Sequence, residues 1–454
     1  MSLPKYPAYK DSGVEWLRSI PSHWEVVRLK NIFEIRKRIA GELGHSVLSI
    51  TQRGIKVKDI ESNDGQISMD YSKYQIVLPG DFAMNHMDLL TGYVDISSTH
   101  GVTSPDYRVF AMLDNAHCVP RYFLHLFQNG YRQKIFYAFG QGASEFGRWR
   151  FPTDQFNNFR LPCPPDDEQA AIATFLDRET AKIDALIAEQ EKLIALLAEK
   201  RQATISHAVT RGLDPAVPMK DSGVEWLGQV PAHWVICSVR RKLKRIEQGW
   251  SPECFSRPAE AGEWGVLKAG CVNGGIFRPE ENKALPDTLA PDENILIKDG
   301  DLLMSRASGS PALVGSVAYL SAPPAHLMLS DKIFRLHLEQ GTLLPQFVAI
   351  AFGARYLRHQ IEQAISGAEG LANNLPQTSL KGFTIAIPPE VEQQEIVVFT
   401  QQETAKLDAL KIAAEHAVSL LKERRAALIA AAVTGQIDVR GLVDAPASPA
   451  PEAA

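Results

Sequence analysis

Two stretches of the chain are near-copies: KDSGVEWLRSIPSHW at residues 10–24 and KDSGVEWLGQVPAHW at 220–234 agree at eleven of fifteen positions. A second pair, PPDDEQAAIATFLDRETAKIDALI from Pro164 and PPEVEQQEIVVFTQQETAKLDALK from Pro388, aligns without gaps at an offset of 224. Agreement of this quality is duplication, so the fold must be built from one unit written twice. The 454 residues, 45% hydrophobic, suffice for two to four domains with their own cores.

Within each repeat the apolar period changes once. Runs such as HSVLSI, YQIVLPGDF, NILIKDGDLLMS and DKIFRLHL are β-branched or aromatic and bounded by Gly, Pro, Asp and Asn, which are strand and turn signals. From Glu168 the apolar residues step by three and four instead: Ile172, Leu176, Ile183, Leu186, Leu193 and Leu197, answered by Ile396, Leu407, Leu410, Leu421 and Leu428. Pro165 and Pro389 suit the first turn of such helices, with acids beside them at the positive end of the dipole. Gly212 and Gly435 suit a left-handed stop. The expected organisation is a mixed domain at 1–160, a helix at 161–212, a second mixed domain at 213–387, a helix at 388–438 and a disordered tail at 439–454. The fold class is α+β. Two helices of this length would leave apolar stripes in water, so they should pair as an antiparallel coiled-coil-like spacer between the mixed domains, with a pseudo-two-fold relation.

Charge is divided unevenly. Lys+Arg against Asp+Glu is 19 to 16 over residues 1–160 and 17 to 18 over 213–387, but 6 to 9 and 6 to 10 over 161–212 and 388–454. With a net charge of −5, affinity for a polyanion from charge alone would be modest, and partners would have to contribute. Five cysteines without a CxxC pair indicate neither a disulfide framework nor a zinc knuckle. No apolar run approaches the roughly 20 residues of a membrane helix, so a soluble cytoplasmic protein with no membrane partner is expected.

Motifs for chemistry in the chain itself are missing. The sequence has no Asn/Asp-Pro-Pro-aromatic loop for a flipped base, no GxxxxGK[ST], and no PD…ExK in the right order. Phe139-Gly140-Gln141-Gly142 is only superficially a cofactor loop. His23 and His233, repeated beside Trp24 and Trp234, lack further ligands at metal spacing and are read as packing or turn-capping groups. Trp16, Trp24, Trp226 and Trp234 are read as core anchors. No catalytic and no metal-binding residue is assigned.

The duplicated tryptophan block, the doubled PPxxEQ helix start, ETAKIDALI with ETAKLDALK, and the order mixed–helical–mixed–helical together closely resemble the specificity subunits of Type I restriction-modification systems. The resemblance runs from about Tyr6 to Asp438. It implies a non-catalytic subunit that binds double-stranded DNA, with two target recognition domains that each read half of a split sequence. It also implies helices that set the gap and dock methyltransferase subunits. Those partners would use S-adenosylmethionine, and restriction subunits with translocase activity would use ATP and Mg; no cofactor is expected on this chain. The repeats agree at scaffold positions and differ in their loops, where recognition usually sits. Candidate DNA contacts are therefore the non-repeated polar and basic loop residues: Gln52, Arg53, Lys56, Lys58, Asn85, His86, Arg148 and Arg150 in the first domain. In the second they are Lys268, Asn273, Ser305, Arg306, Ser308, Asn373, Asn374 and Gln377. Arg can fork onto guanine and Asn or Gln onto adenine. The basic runs Arg36-Lys37-Arg38 and Arg240-Arg241-Lys242 would steer phosphates or solvate a face. Two other classes stay open on sequence: a coiled-coil scaffold whose mixed domains bind proteins, favoured by the net acidity, and a self-contained methyltransferase.

Overall fold

The computed structural model describes residues 3–59, 70–114, 116–142, 149–339, 341, 343–365 and 373–442. The chain divides into two units, 1–190 with 416–454 and 191–415. Both divisions fall inside a long helix, so each unit owns half of each.

In the first unit the β-branched and aromatic runs form an antiparallel four-stranded sheet in the order Phe33–Ile35, Arg108–Met112, Phe82–Met84, Val94–Ile96. In the second, Leu243–Gln248, Ile333–Leu338, Leu302–Ser305 and Val317–Tyr319 take the same order. The turn before the third strand of each order is built alike. Gly80 and Gly300 adopt φ of +91° and +83°, and the next residue, Asp81 or Asp301, accepts the amide of Leu78 or Lys298 at 2.8 Å. Positive φ at those two positions is what the repeated Gly-Asp pair secures. Helix α1 (Pro120–Arg132) covers the first sheet, and its Tyr122, Phe123 and Phe127 join a core with Phe33, Phe82 and Phe110. A short α2 (Thr153–Asn158) leads into a strand, Arg160–Cys163, that feeds α3 (Asp166–Arg211). In the second unit α4 (Pro345–Gly353), α5 (Arg355–Ala364) and α6 (Gln377–Gly382) follow the sheet, and α7 (Glu390–Val433) begins there and ends in the first unit. There Phe347, Val348 and Phe352 pack with Met304, Phe334 and Leu336.

The doubled sequence blocks meet as two copies of one clamp. In the first unit Trp24 Nε1 donates to Glu168 at 3.0 Å, His23 Nε2 lies 2.8 Å from the same carboxylate, and the Tyr6 hydroxyl donates to it as well. In the second, Trp234 Nε1 and His233 Nε2 contact Glu392 at 3.0 and 2.8 Å. The neighbouring glutamine ties in the first helix after the sheet. Gln169 accepts the Val119 amide at 2.8 Å and donates to the Pro164 carbonyl at 2.8 Å; Gln393 does the same with Leu344 and Pro388 at 2.9 Å. Trp24 and Trp234 are fully buried, so an unpaired indole N–H would be costly, and the glutamate removes that cost. Trp16 is half-buried and stacked on Phe159, whereas Trp226 is 36% exposed beside Tyr356. The reading of Trp226 as a core anchor is therefore corrected: its ring lies flat on the surface of the core.

Pro165 and Pro389 sit one residue earlier than the first turn, as N-caps whose carbonyls accept the amides of Gln169 and Gln393 at 2.9 Å. Gly212 and Gly435, with φ of +75° and +73°, do end the two helices. A Cβ at Gly435 would come within 2.3 Å of Pro21 Cδ.

Within each unit the helix halves run antiparallel. In the first, Ile172, Leu176, Ile429 and Val433 share the core, and Arg425 forks onto Asp184 at 2.8 and 3.0 Å. In the second, Ile205 and Val209 pack with Ile396, and Arg201 lies 3.2 Å from Asp408. The two ion pairs are the same pair at the repeat offset. The buried stripe differs from the expected one. Leu186, Leu193 and Leu410 are exposed, while Ile187 and the polar Thr180 and Thr400 are buried. The stripe on α3 runs through 176, 183, 190 and 197 and through 180, 187, 194 and 201, a seven-residue repeat that admits polar side chains.

Candidate nucleic-acid interface

In each unit two loops far apart in sequence are laced together by main-chain bonds at the same end of the sheet. In the first, Asn85 and His86 follow the strand Phe82–Met84, and the His86 carbonyl accepts the Phe151 amide at 2.8 Å. In the second, Arg306 follows Leu302–Ser305, and its carbonyl accepts the Leu375 amide at 2.9 Å. The scaffold is common; the side chains mounted on it are not.

The first cluster is organised by Asp88, whose carboxylate accepts the amides of Leu90 and Thr91 at 2.9 and 3.0 Å and the Thr91 hydroxyl. Tyr131 donates to the Asn85 carbonyl at 2.7 Å, Leu89 N reaches the Trp149 carbonyl at 3.2 Å, and Arg150 pairs with Gln141. A hairpin, Leu48–Thr51 with Gly54–Val57, carries Gln52 and Arg53 at its tip, and Gln52 Nε2 donates to the Thr91 carbonyl at 3.2 Å. Asp95 fixes the hairpin to the sheet by accepting the Ile55 amide at 3.1 Å. Gln52, Arg53, Lys56 and Arg150 are exposed there; Lys58 and Asn85 are half-buried. Arg148 lies outside the described residues. Burial, with the charges of Arg108 and Arg150, pushes the His86 imidazole down to about 3, so it is neutral at ordinary pH and cannot act as a phosphate-steering cation.

In the second cluster Ala307–Ser308 pairs with Asn373–Asn374, and Asn373 Nδ2 donates to the Gly309 carbonyl at 3.3 Å. Gln377 opens α6 just beyond. The Arg306 guanidinium donates to the Asp331 carbonyl at 3.1 Å and lies 5.9 Å from the Phe334 ring centroid. Lys268 is the N-cap of a 3-10 segment, Ala269–Gly275, that contains Asn273 and packs against Ala307–Ser308. Lys268 Nζ is 3.8 Å from Glu281, and Asn273 Oδ1 is buried. Ser305 is withdrawn as a contact: it is fully buried on its strand, with its hydroxyl turned to the Ala307 carbonyl.

The basic runs divide. Arg36 and Arg38 are engaged by Glu34 and Asp81, leaving Lys37 exposed, and Arg240 and Arg241 are exposed on a 3-10 turn. Sequence reasoning missed Asp88 and Asp331, which shape both clusters; Asp331 is held by Ser251 and by Lys332 at 3.0 Å. Among the described residues no group of three or more His, Cys, Asp or Glu could hold a metal ion, and no helix is long and apolar enough to cross a membrane.

A family model described as Type I restriction modification DNA specificity domain matches residues 21–195. The EcoEI specificity subunit of Escherichia coli is 26% identical over 48% of this chain and 37% of its own length. The EcoKI specificity subunit of Escherichia coli strain K12 is 26% identical over 64% of this chain and 60% of its own length. The matches thus span from about a third to under two thirds of these relatives. A solved chain from work on complex assembly and conformational transition of the type I R-M system superposes with a TM-score of 0.61 at 17% identity, covering 91% of this chain and 98% of that one.

Proposed function

We propose, for a chain that belongs to the specificity subunits of Type I restriction-modification systems, that each unit reads one half of a two-part duplex sequence. The observation that carries this reading is the pair of equivalent loop clusters mounted on sheets of identical strand order, one bearing Gln52, Arg53, Lys56 and Arg150, the other Arg306, Ser308, Asn373, Asn374 and Gln377. Identical scaffolds with unlike side chains suit two unlike half-sites. The chain itself does no chemistry. The paired helices set the gap and dock methyltransferase subunits that carry S-adenosylmethionine, and restriction subunits using ATP and Mg complete a cytoplasmic complex. The test is exchange of residues 25–160 for those of another specificity subunit, followed by methylome sequencing. One half-site should change while the other and the gap persist; an unchanged pattern, or loss of both halves with the complex intact, refutes it.

A further inference from the structure

Cys118 directly precedes Val119, the N-cap of α1, and Cys163 ends the strand that feeds α3. The two side chains are close enough to interact, with the Cys163 thiol as donor toward Cys118. Both lie within reach of one amide: Gln169 Nε2 is 3.9 Å from Cys118 Sγ and 3.7 Å from Cys163 Sγ. Each is half-buried, so a small reagent can reach them. We propose that Cys118 and Cys163 are a modification site of the first unit, closing to a reversible disulfide by exchange with small linear disulfides of the glutathione disulfide class.

The thiols are unequal in the way such exchange needs. The hydrogen bond from Cys163, against the opposing effect of burial and helped by Gln169, brings the Cys118 thiol down to about 7, while Cys163 is pushed up. Cys118 is therefore the attacking thiolate and Cys163 the resolving thiol. Cys118 Sγ bonds one sulfur of the small disulfide and expels the other as thiolate. With Cys118 Sγ now in the mixed disulfide, its hold on the Cys163 proton is gone; Cys163 passes that proton to the expelled thiolate, attacks Cys118 Sγ and expels the second thiolate, so two protein thiols are oxidised as one disulfide is reduced. Cys237, Cys254 and Cys271 lie in the second unit, and burial raises all three thiols. The places equivalent to Cys118 and Cys163 there hold Leu343 and Ile387, so the cross-link acts on one unit only. It would tie the start of α1 to the entry of α3, beside the Gln169 clamp.

The full chain is incubated with oxidised glutathione, quenched in acid, and measured by intact mass and peptide mapping. The expected product has lost two hydrogen atoms and joins Cys118 to Cys163, and Cys163→Ala instead carries one glutathione on Cys118. Cys163→Ser is the second variant should alanine fail to fold. An unmodified chain, separate glutathiones on both residues, or faster reaction at Cys254 would each overturn the proposal.

Discussion

Replacing Glu168 with alanine tests whether the repeated Trp-His and Glu-Gln blocks are a structural clamp. In the native chain the Glu168 side chain is 3% exposed and accepts from Trp24, His23 and Tyr6. Removing it orphans two buried donors, the Trp24 indole N–H and the Tyr6 hydroxyl, while His23 can turn to water. An orphaned buried donor costs roughly 1–3 kcal/mol, and the bonds lost were to a charged acceptor, so the first unit should lose about 4 kcal/mol. Glu392 is 21% exposed and has no counterpart of Tyr6, since Ala216 stands at that place. Glu392→Ala leaves one buried donor within reach of water and should cost the second unit about 2 kcal/mol. Against a domain stability of about 5–15 kcal/mol both losses are large. Hydrogen exchange through a urea series, resolved by segment, separates the units. Equal losses, or a loss below about 1 kcal/mol for Glu168→Ala, would refute the clamp.

Three further outcomes are expected. Stability of the first unit should fall on mild acidification because His86 titrates at 6.5 when unfolded but at about 3 when folded. Its contribution is complete above 6.5 and is lost as pH drops toward 3, so the wild type should lose about 2 kcal/mol more than His86→Asn between pH 7.5 and pH 5 in chemical denaturation. A double-mutant cycle on Asp184 and Arg425, and one on Asp408 and Arg201, should each give a coupling of about 0.5 kcal/mol, as for half-exposed ion pairs; a coupling above about 2 kcal/mol would contradict the exposure seen. Arg240→Ala with Arg241→Ala, exposed on their 3-10 turn, should weaken duplex binding by the assembled complex and reduce the slope of log affinity against log salt by about 2, leaving the methylated sequence unchanged, as salt titration and methylome sequencing would read.

The duplication made the long helices, their glycine stops and the equivalence of the two sheets legible before any coordinates. Three features escaped it. The helix stripe was read from leucines, but the buried positions include Thr180 and Thr400, so hydrophobicity pointed a residue or more away from the true contact line. Ser305 resembled an exposed loop serine because its strand, Leu302–Ser305, is buried on both faces and carries no alternation to say which side chains turn inward. The convergence of Asn85 and His86 with Arg150, and of Arg306 with Asn374, depends on two main-chain ladders between segments about 65 residues apart, which no local pattern encodes. The His-Trp to Glu-Gln clamp was visible in principle. Both halves recur together in each repeat, and Trp24 needed a buried acceptor.

The division of the chain through both long helices has a kinetic consequence. The unit formed by 191–415 is one continuous stretch, so every contact in it can form as soon as that stretch has been synthesised. The other unit needs 416–442 to close over a framework begun at Tyr6, and Val433 must reach Tyr122 across a sequence separation of 311. Loop-closure entropy makes such distant contacts slow, so the earlier-synthesised portion is the later one to mature, and a ribosome-stalled chain ending near 415 should protect the downstream half from protease while the upstream half is still cut.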